Sequence, residues 1–326
     1  MKKVLIAILL LGLLPHASAD YIHWVDFRLS APVLRSALEL DMASQGGEQP
    51  LDWIDILALA AAWRGGTGVT VADTHRAAQA LRGDTPPERL PGMAGRCFSY
   101  YRAAYGAALG GLVGHFAIRR TDPQTGEAEW IPAYGLKAFS PIAAGYPWSH
   151  YPDFGAQRSY GYARPHLGND ILGALGTPIC AVEGGTVEAL GWNRYGGWRI
   201  GIRSDDRKRY YYYAHLRKDT PYAEGLAVGQ RVQAGDVIGF MGRTGYSAQE
   251  NVNNIETVHL HFGLQLIFDE SQKECDSEIW IDVYPIIELL ASHCSSVARD
   301  PQTGRWERLY PYCDLDAEPL RSAAAR

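Results

Sequence analysis

The sequence lacks a basic surplus: 31 lysines and arginines stand against 36 aspartates and glutamates, a formal charge of −5 over 326 residues. Nothing in that balance draws the chain to a phosphate backbone, and nucleic acid is excluded as a partner class. Paired cysteines are missing too. The five (Cys97, Cys180, Cys275, Cys294 and Cys313) are odd in number and contain no CxxC, so they do not form a recognisable disulfide framework. Cys180, in the apolar run Pro178-Ile179-Cys180-Ala181-Val182, reads as a buried thiol, while a bridge among Cys275, Cys294 and Cys313 stays open. Long apolar runs are equally scarce. Val4 to Leu14 spans about 16 Å as a helix, against a hydrocarbon core of roughly 30 Å, and no other stretch is long and apolar enough to cross a membrane.

What is present begins with that short run. Lys2 and Lys3 precede it, and Pro15 and the small residues Ala17-Ser18-Ala19 follow it, the layout of a secretory signal peptide over residues 1–19. Cleavage after Ala19 leaves a mature chain of charge −7, exported, extracytoplasmic and with no stable membrane span. A 47% apolar fraction excludes a mainly disordered protein, and 35 glycines with 18 prolines imply many turns. The length suggests about two domains.

Residues 20–137 read as a helical domain. Helical spacing predicts helices over Val33–Ala43, Leu51–Trp63, Thr74–Leu81 and Arg96–Leu109, with Gly65-Gly66 terminating the second. No catalytic pattern is found there; Asp52 and Asp55 suit the positive end of a helix macrodipole. The texture changes over residues 138–275. Short apolar and β-branched runs punctuated by glycine predict strands at Ile179–Glu183, Thr186–Trp192, Trp198–Arg203, Arg209–His215, Val237–Met241 and Val258–Phe268, without helices between them. An antiparallel sandwich or barrel-like domain follows, and the whole chain is expected to be α+β. Residues 276–326 add a helix at Val283–His293 and a polar tail.

Four of the ten histidines lie in the β-rich half: His166, His215 and the pair His259-Leu260-His261. HxxxD patterns alone are weak, since His16 with Asp20 and His215 with Asp219 match as readily as His166 with Asp170. Context separates them. Residues two apart on a strand share a face, so His259 and His261 point the same way while Leu260 enters the opposite face. Two imidazoles on one face cost stability if buried without partners; a metal or a polar cleft answers that cost, and a solvated strand face avoids it. His166, Asp170 and one distant histidine would make three nitrogen and oxygen ligands, leaving a fourth position for water, as catalytic zinc requires. Two histidines would remain for proton handling or for hydrogen bonds to an oxyanion.

The ordered set His166-Leu167-Gly168-Asn169-Asp170, Gly176-Thr177-Pro178-Ile179, Tyr213-Ala214-His215-Leu216, the glycine- and valine-rich run from Val228 to Gly245, and His259-Leu260-His261-Phe262 resembles the M23 (LytM/lysostaphin-type) zinc metallopeptidases over about residues 160–268. The resemblance implies that His166, Asp170 and His261 bind Zn2+ and that His215 and His259 serve catalysis. It implies a zinc endopeptidase cutting peptide stems or cross-links of peptidoglycan in the cell envelope. Asp219 becomes a turn acid. Some members that have lost ligands act as non-catalytic scaffolds or activators; here all five positions are occupied. A carrier domain of the lipoyl type, which shares the Gly-Val corners, needs a modifiable turn lysine that neither corner has. The sequence departs from compact members in the eleven residues Ala248 to Val258, a polar insert expected to form a longer loop beside the cleft. Alternate members of Tyr210–Tyr213 should share the sheet face that carries His215, where a hydroxyl could approach an oxyanion or simply pack.

Overall fold

The computed structural model describes residues 21–317 apart from Glu274 and Asp276. The expected signal segment lies outside these residues. Among them, no helix is long and apolar enough to cross a membrane.

Four helices open the chain: α1 Ala31–Ser44, α2 Trp53–Arg64, α3 Val71–Leu81 and α4 Met93–Leu109. Asp52 caps α2 by accepting from the Ile54 amide, and Gly65, at φ 63°, closes it in a conformation that penalises a Cβ. Trp53, Ile54 and Ile56 through Ala62 are all buried, so α2 is the central helix of this layer rather than an amphipathic surface one. α3 starts three residues before its apolar spacing begins. Thr70 and Asp73 form a capping box that holds the extra turn, a signal carried by polar residues.

The helical reading of residues 20–137 stops at Leu109. Val113–Thr121 and Ala128–Leu136 form an antiparallel hairpin, and Tyr312–Asp314 adds a third strand to it, with Cys313 opposite Ala117. That pairing joins chain ends far apart in sequence, which no local pattern announces. The polar tail is likewise structured, with Val297–Arg299 paired to Trp306–Arg308. A fifth helix, α5 (Tyr284–Leu290), occupies the core of the Val283–His293 expectation.

The β-rich half is an antiparallel sheet of eight strands. Its order runs Arg231–Val232, Gly185–Asn193, Gly197–Ser204, Arg209–Ala214, His259–Leu266, Asn169–Gly173 and Trp148–His150, with Ile279–Trp280 also pairing to His259–Leu266. Pro178–Cys180 and Val237–Phe240 make a separate buried pair. The six strands expected here all form, displaced by at most three residues at their ends.

The two faces of the sheet have different tasks. Arg209, Tyr211 and Tyr213 alternate onto the inner face with Phe262 and Leu264, and all five are buried. Arg209 donates to the Ala107 carbonyl at the end of α4 and pairs with Glu183 at 2.7 Å, while the Tyr211 hydroxyl donates to Glu183 at 2.5 Å. The Ala107 carbonyl in the last turn of α4 is therefore satisfied by a guanidinium from the sheet. Helices and sheet share one continuous apolar cluster on this side. The opposite face is left for chemistry.

Candidate metal centre

Cross-strand register assembles the site. His261 stands directly opposite Asp170 on one neighbouring strand and Ala214 on the other. Partners directly opposite share a face, so a carboxylate and an imidazole distant in sequence meet without any special turn. His166 reaches them from just before the Asn169–Gly173 strand. Its Nε2 lies 2.7 Å from His261 Nδ1 and 3.0 Å from Asp170 Oδ1, and the latter two atoms are 3.2 Å apart. Gly168 makes this approach possible: a Cβ there would come within 2.7 Å of His261 Cε1 and of the Phe262 carbonyl.

The triangle suits a cation. Four ligands at 2.0–2.1 Å around a tetrahedral zinc are about 3.3 Å apart, so the three atoms need only a small expansion to share one ion. Among the described residues, these three form a group able to hold a metal. Their orientation is fixed from behind. His166 Nδ1 faces the Asp153 carbonyl at 3.1 Å and the Asp153 carboxylate at 3.2 Å. Both are acceptors, so Nδ1 carries the hydrogen and Nε2 offers its lone pair. Asp153 is held by Asn169, which donates to it at 2.9 Å and receives His150 Nδ1 at 2.6 Å; His150 in turn meets Glu288 of α5. Arg158 bridges Asp153 and Asp170.

Protonation reflects this crowding. Burial opposes charge on His166, but Asp153 and Asp170 overcome it and push its pKa up to about 9. Burial also opposes ionisation of Asp170, yet His166 and His261 hold its carboxyl well below the usual range.

His215 and His259 stand beside the triangle, their rings 4.8 Å apart, with His215 5.8 Å from His261. His215 Nδ1 faces the Thr244 carbonyl at 2.9 Å, and His259 Nδ1 faces the Thr257 carbonyl at 2.9 Å. Each ring thus leaves Nε2 available, and His259 Nε2 lies 3.7 Å from Asp170 Oδ1. Burial, with His259 and His261 close by, holds the His215 pKa well below the ordinary imidazole value, so the ring is neutral. All five histidine and aspartate positions singled out in the sequence therefore converge on one face.

His215 arrives there by a route that alternation does not give. It has φ 62°, a left-handed conformation that turns it away from the inner face of Tyr211 and Tyr213. Consequently Tyr210 and Tyr212 share its face; Tyr212 stands 5.9 Å from His261 and accepts from Asn193 at 3.0 Å. Asp153, Arg158 and Asn169 were not visible as site residues. Asn169 lies inside the His166–Asp170 motif and could have been suspected, but Asp153 has no sequence signal. Asp219 sits in a turn at φ 67°, where its carboxylate and amide bind Asn251. Asn251 also receives Trp198 Nε1, so the 248–258 insert is pinned to the sheet.

The lining of the cleft begins at Arg158 and includes no residue of the helical layer. An antiparallel sheet carrying three side chains close enough to share one cation, with two imidazoles beside them, is a candidate mononuclear metal site. The sequence of the chain is similar to a known kind: residues 164–274 match Peptidase family M23. It is 35% identical over 177 residues to an L-Ala--D-Glu endopeptidase of Bacillus subtilis, covering 51% of this chain and 52% of that one. It is 38% identical over 98 residues to the glycyl-glycine endopeptidase ALE-1 of Staphylococcus capitis, covering 30% of this chain and 24% of that one. A solved structure, the catalytic domain of lysostaphin from Staphylococcus simulans, matches at 28% identity with a TM-score of 0.33, covering 44% of this chain and 92% of the other. The chain spans about half the length of the first of these relatives and a quarter of the second.

Proposed function

We propose that the protein is a zinc-dependent endopeptidase that hydrolyses peptide bonds of peptidoglycan outside the cytoplasmic membrane. The observation that carries this reading is the triangle of His166, Asp170 and His261, with the neutral His215 and the His259 imidazole aimed at the same space. In it, His166, Asp170 and His261 hold the ion. A zinc ion supplies Lewis-acid polarisation of a carbonyl and an acidified water. The protein's own contribution is proton handling and positioning. His215 and His259, each fixed at Nδ1 by a carbonyl, can take a proton at Nε2 and, once protonated, donate it to an oxyanion. Asp153 keeps His166 in the tautomer that leaves Nε2 free. The relatives named as endopeptidases for L-Ala--D-Glu and glycyl-glycine bonds support a cell-wall peptide as substrate, and the amino-terminal signal pattern supports export.

The test is metal analysis of the mature chain followed by digestion of purified sacculi. About one zinc per chain and soluble muropeptide fragments are expected. His261→Ala should lose both metal and fragments, whereas His215→Ala should keep the metal and lose at least about 100-fold in turnover. Full zinc content with undiminished digestion in His261→Ala would reject the ligand assignment.

A further inference from the structure

One charged side chain in the cleft has no counterpart. Arg158 pairs with Asp153 and Asp170 and Lys273 with Glu188 at 2.5 Å, while Arg164, which meets no carboxylate among the described residues, donates to the Tyr160 carbonyl and lies over the Tyr195 ring. Arg199 lines the same cleft, yet its guanidinium pairs with no carboxylate among the described residues, and its Nε is sealed from solvent without a hydrogen-bond partner. Glu278, a further acid of the cleft lining, accepts from Trp280 Nε1 at 2.7 Å. A buried donor left unmatched is costly, and a cation left unmatched in a cleft is a place for an anion from outside.

Its position relative to the metal triangle is set by the sheet. Tyr213 pairs with Ile200, so one step along the strands Ala214 comes level with Arg199, and Ala214 is opposite His261, which is opposite Asp170. Arg199, Ala214, His261 and Asp170 thus form a row across four strands on one face. Strands are about 4.8 Å apart, which places the Arg199 backbone roughly 10 Å from that of His261. A separation of that size is about three extended residues of a bound peptide. The intervening Ala214 is buried beneath Gly196, and Arg199, Gly196 and His261 all line the same cleft.

Resting on the endopeptidase reading, we propose that Arg199 is a specificity-determining residue that pairs with a free carboxylate within about three residues of the scissile bond. The substrate class is an acidic peptide rather than a neutral one. A charge-assisted pair in such a site is worth about 10- to 100-fold in kcat/KM over the amidated peptide. A site built around a charged partner discriminates against the analogue that lacks it.

Three peptides test this with the zinc-loaded mature chain: L-alanyl-γ-D-glutamyl-L-lysine, the same peptide with the glutamyl α-carboxylate converted to carboxamide, and pentaglycine. The wild type should prefer the carboxylate over the carboxamide by about 10- to 100-fold. In Arg199→Gln the two should converge, and Arg199→Lys should recover part of the difference. An unchanged ratio in Arg199→Gln overturns the proposal. So does cleavage of pentaglycine with neglect of the acidic peptide, although the endopeptidase reading then survives. Should the wild type cleave none of the three, that reading fails, and calorimetry decides the role of Arg199 separately. Equal affinity for the carboxylate and carboxamide peptides would overturn it, and a tenfold preference lost in Arg199→Gln would uphold it.

Discussion

Gly168 shows how narrow the tolerances of the site are. Its missing side chain lets the His261 ring pass beside the loop that carries His166, and an added Cβ would meet His261 Nε2 at 2.8 Å. The neighbours are a ring already packed between strands and a backbone carbonyl, neither of which can yield cheaply. Gly168→Ala is expected to cost about 1–3 kcal/mol of stability and to displace His261 from the shared position. Zinc affinity, measured by competition with a chromogenic chelator, should fall at least tenfold; wild-type affinity would show that the loop relaxes freely. The same scale explains His215. A left-handed backbone at one residue moves an imidazole from the inner face of the sheet to the outer one. The strand pattern ending at Ala214 gives no warning of that rotation.

At the scale of elements, polar caps decide where helices begin. The Thr70 hydroxyl accepts from the Asp73 amide, and the Asp73 carboxylate accepts from the Thr70 amide and hydroxyl and from Arg64 of α2. Thr70→Ala is expected to destabilise the chain by about 1 kcal/mol, seen as a small fall in Tm with unchanged zinc content. A shift of more than several degrees would mean that α3 carries more of the fold than its cap suggests. A pH dependence belongs to the same cap. Burial would raise the Asp73 pKa, but Arg64 and Thr70 overcome it and hold the carboxyl below its ordinary value. A group depressed in the folded state contributes stability above its unfolded pKa and loses it as pH falls. Below about pH 4, the difference in Tm between wild type and Asp73→Asn should therefore shrink; a constant difference from pH 7 to pH 3 would contradict the argument.

For the whole molecule, the Glu183–Arg209 pair fastens the helical layer to the back of the sheet. Removing Glu183 leaves the Arg209 guanidinium and the Tyr211 hydroxyl buried with a lost partner, although Asp206 still meets Arg209 at 2.9 Å. Glu183→Ala should cost about 3 kcal/mol, the lower end for breaking a buried pair, and lower Tm by several degrees. Because the pair lies on the face opposite the metal triangle, zinc stoichiometry below the new Tm should stay near one per chain. Loss of zinc along with stability would show that the two faces are coupled.

Sequence by itself determined the parts that depend on local periodicity and on short spacing. Alternation placed His259 and His261 on one face, the four-residue step joined His166 to Asp170, and glycine-bounded runs marked the strands. Local chemistry was enough there because neighbours in the chain remain neighbours in space. Only the tertiary structure decided that Val113–Leu136 is a hairpin completed by Tyr312–Asp314, that Asp153 supports His166, and that Arg199 lies in line with the metal triangle beyond Ala214. Those arrangements come from register between strands remote in sequence, set by which faces bury apolar surface together. A pattern read along the chain has no access to the spacing across it.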